Sequence, residues 1–429
     1  MSAVVVFIIF AICLVIAIPI SISLGIVAVL PGAFDASFTA SAGYVIRSMV
    51  GGIDSFPLLA VPMFVLAGIL MAHGKISEKL FDVFVYFLGN KRAGIPCAVI
   101  ITCLFYGAIS GSAPATVAAV GSMTIPLLIE LGYEKDFSTA IVAVAGGLGV
   151  IIPPSIPFIM YAMATGESVS DLFLAGIVPG MMISALLIFY AYYYCRRHGE
   201  DREKIQAKMD QLKTKGFVNI LKESIWALLS PVIVLGCIYT GVASPTEAAV
   251  ISVFYALIIS LFVYKSIKIR DIWTIMVEAI RTYAPILFIL AASIAFSRVL
   301  TLMQVPQEIS AWILAHFTNK IVLLLVLNVF LLIVGMVMDT TPAILILTPI
   351  LLPIVEAVGI HPIHFGIVMV VNLAIGFVTP PIGVNLFVAS SLTDVPVMEI
   401  AKKAMPMILY FFAALLIVTF VPAVSLALL

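Results

Sequence analysis

Long apolar stretches recur along the chain from its first residues to its last. Nine of them read as full membrane spans, at about 4–30, 56–73, 137–163, 172–195, 225–241, 246–264, 284–302, 365–390 and 404–428. A helix crosses the hydrocarbon core in about 20 residues, so each is long enough. Two further stretches, 94–132 and 320–358, are long enough for two helices each. Small, polar and proline residues interrupt them near the middle: SGSAPAT at 110–116 and MDTTPA at 338–343. Proline lacks a donor and restricts the residue before it, so a helix breaks there. A break at membrane depth is tolerated only inside protein or against a wet cavity. Both stretches are therefore expected to be re-entrant hairpins with tips near the midplane. Two amphipathic stretches, 76–90 and 305–318, precede the hairpins at corresponding places and read as interfacial arm helices, with Trp312 suited to an interface.

Composition agrees with a polytopic α-helical membrane protein. Of 429 residues, 63% are hydrophobic and 10% charged, against roughly a quarter charged in average soluble chains. A membrane β-barrel would show short alternating segments instead. The first apolar run has no basic leader and is too long for a signal peptide, so it is expected to stay as a span. Formal net charge is zero, which argues against nucleic acid as a partner and leaves lipid as the surroundings. The five cysteines, Cys13, Cys97, Cys103, Cys195 and Cys237, have no metal-ligand spacing and read as small hydrophobes.

Charge position carries more than charge total. The stretch 196–223 reads as a loop and holds Arg196, Arg197, Arg202, Lys204, Lys208, Lys213, Lys215 and Lys222, and the positive-inside rule puts it in the cytoplasm. Counting outward from it, with each hairpin returning to its own side, also places Lys75, Lys79, Lys91, Arg92, Lys135, Lys402 and Lys403 inside. The expected topology has a cytoplasmic N-terminus and a periplasmic C-terminus in a bacterial inner membrane.

The interruptions repeat. Pro114 and Pro342 are 228 positions apart (342 − 114), and the pairs Pro153-Pro154 and Pro380-Pro381 are 227 apart (380 − 153). Each pair lies in a span that follows a hairpin, within GGLGVIIPPSIPF and NLAIGFVTPPIGVN. Pro62 and Pro285, before the hairpins, are 223 apart. By the charge count the two hairpins enter from opposite sides, so the halves are inverted repeats, a plan used by secondary transporters. The expected division is scaffold spans and an arm in 1–92, a first hairpin and broken span in 93–195, further scaffold and an arm in 196–318, and a second hairpin and broken span in 319–429.

The broken spans carry Gly146, Gly147 and Gly149 before Pro153, and Gly376 before Thr379 and Pro380. An unwound backbone there frees carbonyls that can hold a cation, while half-helix N-termini turn a positive end toward an anion. The tips add Ser110, Ser112 and Thr116 on one side and Asp339, Thr340 and Thr341 on the other. Hydroxyls and carbonyls are hard oxygen donors. Proton relays need titratable groups at depth, and only Asp339 clearly lies there. Sodium is therefore the expected coupling ion, with Asp339 also open to a helix-cap role. Asn372 and Asn385 flank the second break and either orient its carbonyls or bond neighbouring helices. An organic anion is expected between the tips, at Ser112, Pro114, Thr116, Asp339, Thr341 and Asn385. Arg298 reads as snorkelling to the outer surface, or as meeting an anion or a partner. His361 and His364 form an HxxH, weak evidence for a metal.

No GxxxxGK[ST] occurs, so ATP is not expected to drive transport. GAISG around Ser110 nearly matches a GxSG nucleophile motif, but no histidine lies at membrane depth to serve as its base. The chain is not expected to be an enzyme. A stand-alone sodium- or proton-coupled carboxylate symporter is the alternative carrier.

The segments GSAPATVAAVGSMTIPLL, GGLGVIIPPSIPFIMYA, MDTTPAILILTPILLPI and GFVTPPIGVNLFVASS resemble the large membrane subunit of tripartite ATP-independent periplasmic (TRAP) transporters, over essentially the whole chain. The resemblance implies an elevator-type carrier driven by sodium. It implies two partners, a small membrane subunit and a periplasmic substrate-binding protein, and the early first span suggests the unfused form. It also implies two sodium sites. One would use Ser110, Gly111 and Ser112 with Gly147, Gly149 and Pro153. The other would use Asp339, Thr340 and Thr341 with Gly376, Val378, Thr379 and Pro380. Family substrates include C4-dicarboxylates and sialic acids; the sequence as a whole resembles the sialic acid branch, and no single residue decides between them.

Overall fold

The apolar runs fold as helices, and proline, glycine and polar caps set where they stop. A computed structural model describes residues 3–35, 38–214, 216–317 and 319–429; Lys215 and Thr318, named above, lie outside the described residues. In chain order the helices are α1 (Ala3–Val15), α2 (Ile20–Phe34), α3 (Ala42–Ile53), α4 (Ala60–His73), α5 (Ile76–Leu88), α6 (Gly94–Ser110), α7 (Ala113–Glu130), α8 (Lys135–Gly146), α9 (Ile156–Thr165), α10 (Val169–His198), α11 (Arg202–Thr214), α12 (Phe217–Tyr239), α13 (Pro245–Ile258), α14 (Ile269–Leu302), α15 (Val305–His316), α16 (Lys320–Val337), α17 (Thr340–Ala357), α18 (Pro362–Gly376), α19 (Val384–Thr393), α20 (Val397–Phe420) and α21 (Pro422–Leu426). Among the described residues there is no strand, and 9 helices are long and apolar enough to cross a membrane.

The two interrupted stretches are helical hairpins, α6–α7 and α16–α17. Each is closed at its base. Glu200 accepts from the backbone N–H of Ala93 at 3.0 Å and from the Tyr133 hydroxyl at 2.6 Å, so one carboxylate joins both ends of the first hairpin. The Lys320 ammonium donates to the Gly359 carbonyl at 3.2 Å and joins the ends of the second. The spans expected at 137–163 and 365–390 are each two half-helices, α8 then α9 and α18 then α19, with a cis Pro153-Pro154 or Pro380-Pro381 bond between them.

Three readings of the sequence need correction. The apolar run 4–30 is not one helix: Ala17 takes a left-handed φ of 62° just before Pro19, which separates α1 from α2. The basic segment 196–223 is mostly helical rather than a loop. Ile205, Met209 and Leu212 form a buried stripe on α11 at helical spacing, and the Met209 sulfur packs against Gly89 after α5. The run expected at 284–302 is the second half of α14. Asp271 accepts from the Lys268 N–H and starts that helix at Ile269, in a polar stretch that hydropathy passes over.

Helices α2, α3, α4, α12, α13 and α14 pack as one group, and α6–α10 with α16–α20 as another. Within the second group the repeats interlock. Each hairpin packs on the half-helix before the break of its own repeat: α6 and α7 on α8, and α16 on α18. It also packs on the half-helix after the break of the other repeat: α7 on α19, and α17 on α9.

Candidate functional site

At the first hairpin tip, α6 ends at Gly111, whose φ of 61° turns the chain at little cost for a residue without Cβ. Ser112 then sits at the N-terminus of α7 without capping it by its side chain. The fold draws the tip oxygens together. Ser110 Oγ lies 3.0 Å from Thr116 Oγ1, the Thr116 hydroxyl donates to the Ser112 carbonyl at 2.8 Å, and Ser110 Oγ is 3.3 Å from that carbonyl. Gly149, in the first break, closes the cluster. A Cβ there would lie 2.4 Å from Thr116 Oγ1 and 2.8 Å from the Ser112 carbonyl oxygen. The Ile156 N–H donates to the Gly111 carbonyl at 3.3 Å, and Pro154 O lies 2.8 Å from where a Gly111 Cβ would sit. The residues fit a hard cation: several oxygens, no sulfur or nitrogen ligand, and a backbone with no Cβ in the way. Ser110 Oγ meets Thr116 Oγ1, the Ser112 carbonyl and the Ser112 N–H, and no histidine bonds it among the described residues.

At the second tip, Asp339 caps α17, accepting from the Thr340 N–H at 2.6 Å and lying 3.2 Å from its hydroxyl. Thr340 and Thr341 are buried while Asp339 is exposed. Gly376 faces Gly335 of α16 so closely that a Cβ would lie 2.3 Å from the Gly335 carbonyl carbon. The Ile382 N–H donates to the Met336 carbonyl at 3.2 Å, tying the second break to its hairpin. Val378 is buried, Pro380 partly so, and the Thr379 hydroxyl donates to Ile375 O at 2.7 Å.

Some candidates face elsewhere. Gly147 points toward Phe411 and Ala374 rather than toward the first hairpin. Pro153 is buried in the break and Pro114 half-buried on α7. Asn385 reaches neither tip by its amide nitrogen, which donates to Ala143 O at 3.0 Å; its Oδ1 is buried with no partner among the described residues. Asn372 donates to Asn328 Oδ1 at 2.8 Å and Asn328 to the Thr419 hydroxyl at 3.1 Å, a polar chain inside the packed group. His361 caps α18 and His364 contacts Ser425, and no cluster of three His, Cys, Asp or Glu forms among the described residues.

Two residues were missed in the sequence. Gly107 packs on Gly149, where a Cβ would lie 2.6 Å from the Gly149 Cα, just as Gly335 packs on Gly376. Gly107 and Gly335 are 228 apart (335 − 107), the spacing already seen for the tip prolines.

A cavity of about 580 Å³ runs along the first hairpin between α4, α14 and α7. It extends from Ser110 and Ser112 to His73, Lys75 and Glu278, where His73 Nε2 and Glu278 Oε2 are 2.9 Å apart. That end lies on the face of the basic segment, since Lys79 pairs with Glu223 there. On the same face, Lys403 and Tyr194 hydrogen-bond to Glu134, and the Lys403 bond foremost holds its carboxyl below the usual range.

Comparison with known proteins places residues 7–424 within the family described as "Tripartite ATP-independent periplasmic transporter, DctM component". The chain is 46% identical over 415 residues to the isethionate TRAP transporter permease protein DctMQ of Oleidesulfovibrio alaskensis, covering 97% of this chain and 64% of that longer one. It is 40% identical over 375 residues to the C4-dicarboxylate TRAP transporter large permease protein DctM of Pseudomonas aeruginosa, covering 87% and 86%. It is 35% identical over 442 residues to the protein of the same description from Rhodobacter capsulatus, covering 100% and 99%. Among solved structures, the YdaH transporter of Alcanivorax borkumensis matches with a TM-score of 0.63 at 14% identity, over 93% of this chain and 96% of that one. MtrF of Neisseria gonorrhoeae matches equally well, over 93% of each. At that identity the likeness is one of fold.

Proposed function

The chain belongs to the DctM component family of tripartite ATP-independent periplasmic transporters, the large permease of a multi-pass inner-membrane carrier, and on that premise we propose that it imports a small organic anion driven by sodium. The observation that carries the reading is the oxygen cluster of Ser110, Ser112 and Thr116 against Gly149, opening on the long cavity beside α4. Ser110 Oγ, Thr116 Oγ1 and nearby carbonyls would hold one sodium. Asp339, Thr340 and Thr341, with the carbonyls of the second break, would hold another. Sodium at a tip ties hairpin to broken span and neutralises the carbonyl ends of the half-helices. The N-termini of α7 and α17 then face the anion with their positive ends.

The interlocked hairpins and half-helices would move together against the group of α2, α3, α4, α12, α13 and α14, in an elevator motion. The cavity's ending on the basic face supports an inward-open state, with the N-terminus cytoplasmic and the C-terminus periplasmic. The family supports dependence on a small membrane subunit and a periplasmic binding protein that delivers the anion. Relatives named for isethionate and C4-dicarboxylates make these the leading substrates, with sialic acid as the third.

The test is uptake into proteoliposomes holding the chain and its small subunit, with each labelled anion and the cognate binding protein, with and without an inward sodium gradient. Uptake that needs both sodium and the binding protein supports the reading. Uptake without the binding protein favours a stand-alone symporter, and uptake indifferent to sodium refutes the coupling.

A further inference from the structure

The cavity on the basic face has a counterpart at the other end of the same interface. A second cavity, of about 310 Å³, lies between α3 and α14 on one side and α9 and α17 on the other; Ser55, Ile294, Ser297, Arg298, Leu345 and Pro349 help to line it. The internal repeat relates the two. Lys75 and Gln304 open the two arm helices with φ of 58° and 59°, and they are 229 apart (304 − 75). The arm-helix starts thus replace the 223 spacing of Pro62 and Pro285 for these helices, and at an offset of 229 Ile294, Ser297 and Arg298 correspond to Val65, Gly68 and Ile69. Ser112 and Asp339, at the starts of α7 and α17, are 227 apart (339 − 112). At that offset, set by the helix starts and one less than the spacing of the tip prolines, Leu345 and Pro349 correspond to Ala118 and Ser122. All five counterparts line the larger cavity.

The two ends differ in one decisive position. Where the larger cavity has the apolar Ile69, the smaller has Arg298. Arg298 is exposed, helps to line the cavity and makes no ion pair among the described residues. The cavity walls include α9 and α17, so Arg298 faces the packed hairpin group and does more than snorkel along lipid. A guanidinium presents a planar fork of donors that matches a carboxylate or sulfonate, and the hydroxyls of Ser55 and Ser297 beside it can donate further.

We propose that Arg298, with Ser55 and Ser297, forms an entry site for an organic oxyanion, a carboxylate or sulfonate, at the end of the interface opposite the basic face. The inference rests on the carrier reading for its role in transport. It makes that interface asymmetric: the anion meets an unpaired cation at the entry end, whereas at the exit end Ile69 holds the matching position and His73 and Lys75 each lie beside a glutamate, Glu278 and Glu78.

The site can be tested without sodium or flux. The full-length chain carrying G51C, at a cavity-lining position where a Cβ meets nothing within 4 Å, in membranes with its small subunit, is labelled with a membrane-impermeant maleimide in the presence of isethionate or succinate; the chain without G51C gives the background from its own cysteines. The anions are expected to slow labelling, and R298Q to raise the concentration giving half-protection at least tenfold, the loss expected for a charged hydrogen bond. R298K should keep part of the protection. The labelling rate without anion shows whether each variant keeps an intact cavity. Unchanged protection in R298Q, or none in the G51C parent, overturns the proposal. Absence of sodium-driven uptake in the unsubstituted chain would strike the carrier reading and leave this result standing.

Discussion

The side-chain nitrogen of Asn385, just after the second break, donates to the carbonyl oxygen of Ala143, just before the first, across 3.0 Å. Ala143 is among the last four residues of α8, whose carbonyls lack helical partners, so this bond satisfies a group that the break itself freed. A reciprocal bond runs between the other two halves: the Tyr161 hydroxyl of α9 donates to the Pro362 carbonyl of α18 at 2.7 Å. The two broken spans are thus clasped across the repeats. Asn385→Ala leaves a buried carbonyl unpaired and should cost about 1–3 kcal/mol, lowering the thermal unfolding midpoint of the purified chain by a few degrees. Tyr161→Phe should do the same more weakly, since its bond to Pro362 is only partly buried while that of Asn385 is buried. A midpoint unmoved by both changes would show that the clasp contributes nothing.

The paired glycines set how closely each hairpin approaches its broken span. Gly107→Ala and Gly376→Ala place a methyl within 2.6 Å and 2.3 Å of backbone that has no side chain to move aside. Each should destabilise by about 1–3 kcal/mol through overpacking. Gly236→Ala in α12 meets nothing within 4 Å and should be neutral or slightly stabilising. Folded yield and unfolding midpoint of the three variants decide this. Equal behaviour of all three would mean that the close approach is not needed.

The hairpins and broken spans were legible because their signals survive in one dimension. A proline among hydroxyls inside an apolar run marks a tip, and Pro153 and Pro380 mark the breaks at matching spacing. The glycine partners Gly107 and Gly335 were harder, since an isolated glycine in a membrane helix looks ordinary until the repeat offset is applied to it. Direction was not legible at all. Nothing in sequence distinguishes Gly149, which faces the Ser112 carbonyl, from Gly147 two residues earlier, which faces Phe411. Arg298 was ambiguous for the same reason, because only packing shows which side of α14 meets α17. Hydropathy also hid the first half of α14, where Arg270, Asp271, Glu278 and Arg281 interrupt the apolar pattern but not the helix.

On the basic face, the Lys403 and Tyr194 bonds to Glu134 join α20, α10 and the start of α8. The Glu134 pKa is depressed in the folded chain. Its contribution is therefore present above the ordinary carboxylate value and is lost as pH falls through the lower folded value. The pair is partly solvated, so Lys403→Gln should cost under about 1 kcal/mol at neutral pH. The gap between variant and parent in unfolding midpoint should close as the pH drops below the carboxylate range. A gap that persists in acid would assign the effect to packing of the lysine stem.

The central claim is that the two hairpin tips each hold a sodium ion. Its most direct test is the sodium dependence of anion uptake in the complete three-component carrier, comparing the parent with S110A/T116A and with T340A/T341A. The account predicts sigmoidal activation in the parent. In each double variant it predicts a half-saturating sodium concentration raised about tenfold or more and a shallower curve, with protein levels retained. Superimposable activation curves in all three would contradict it.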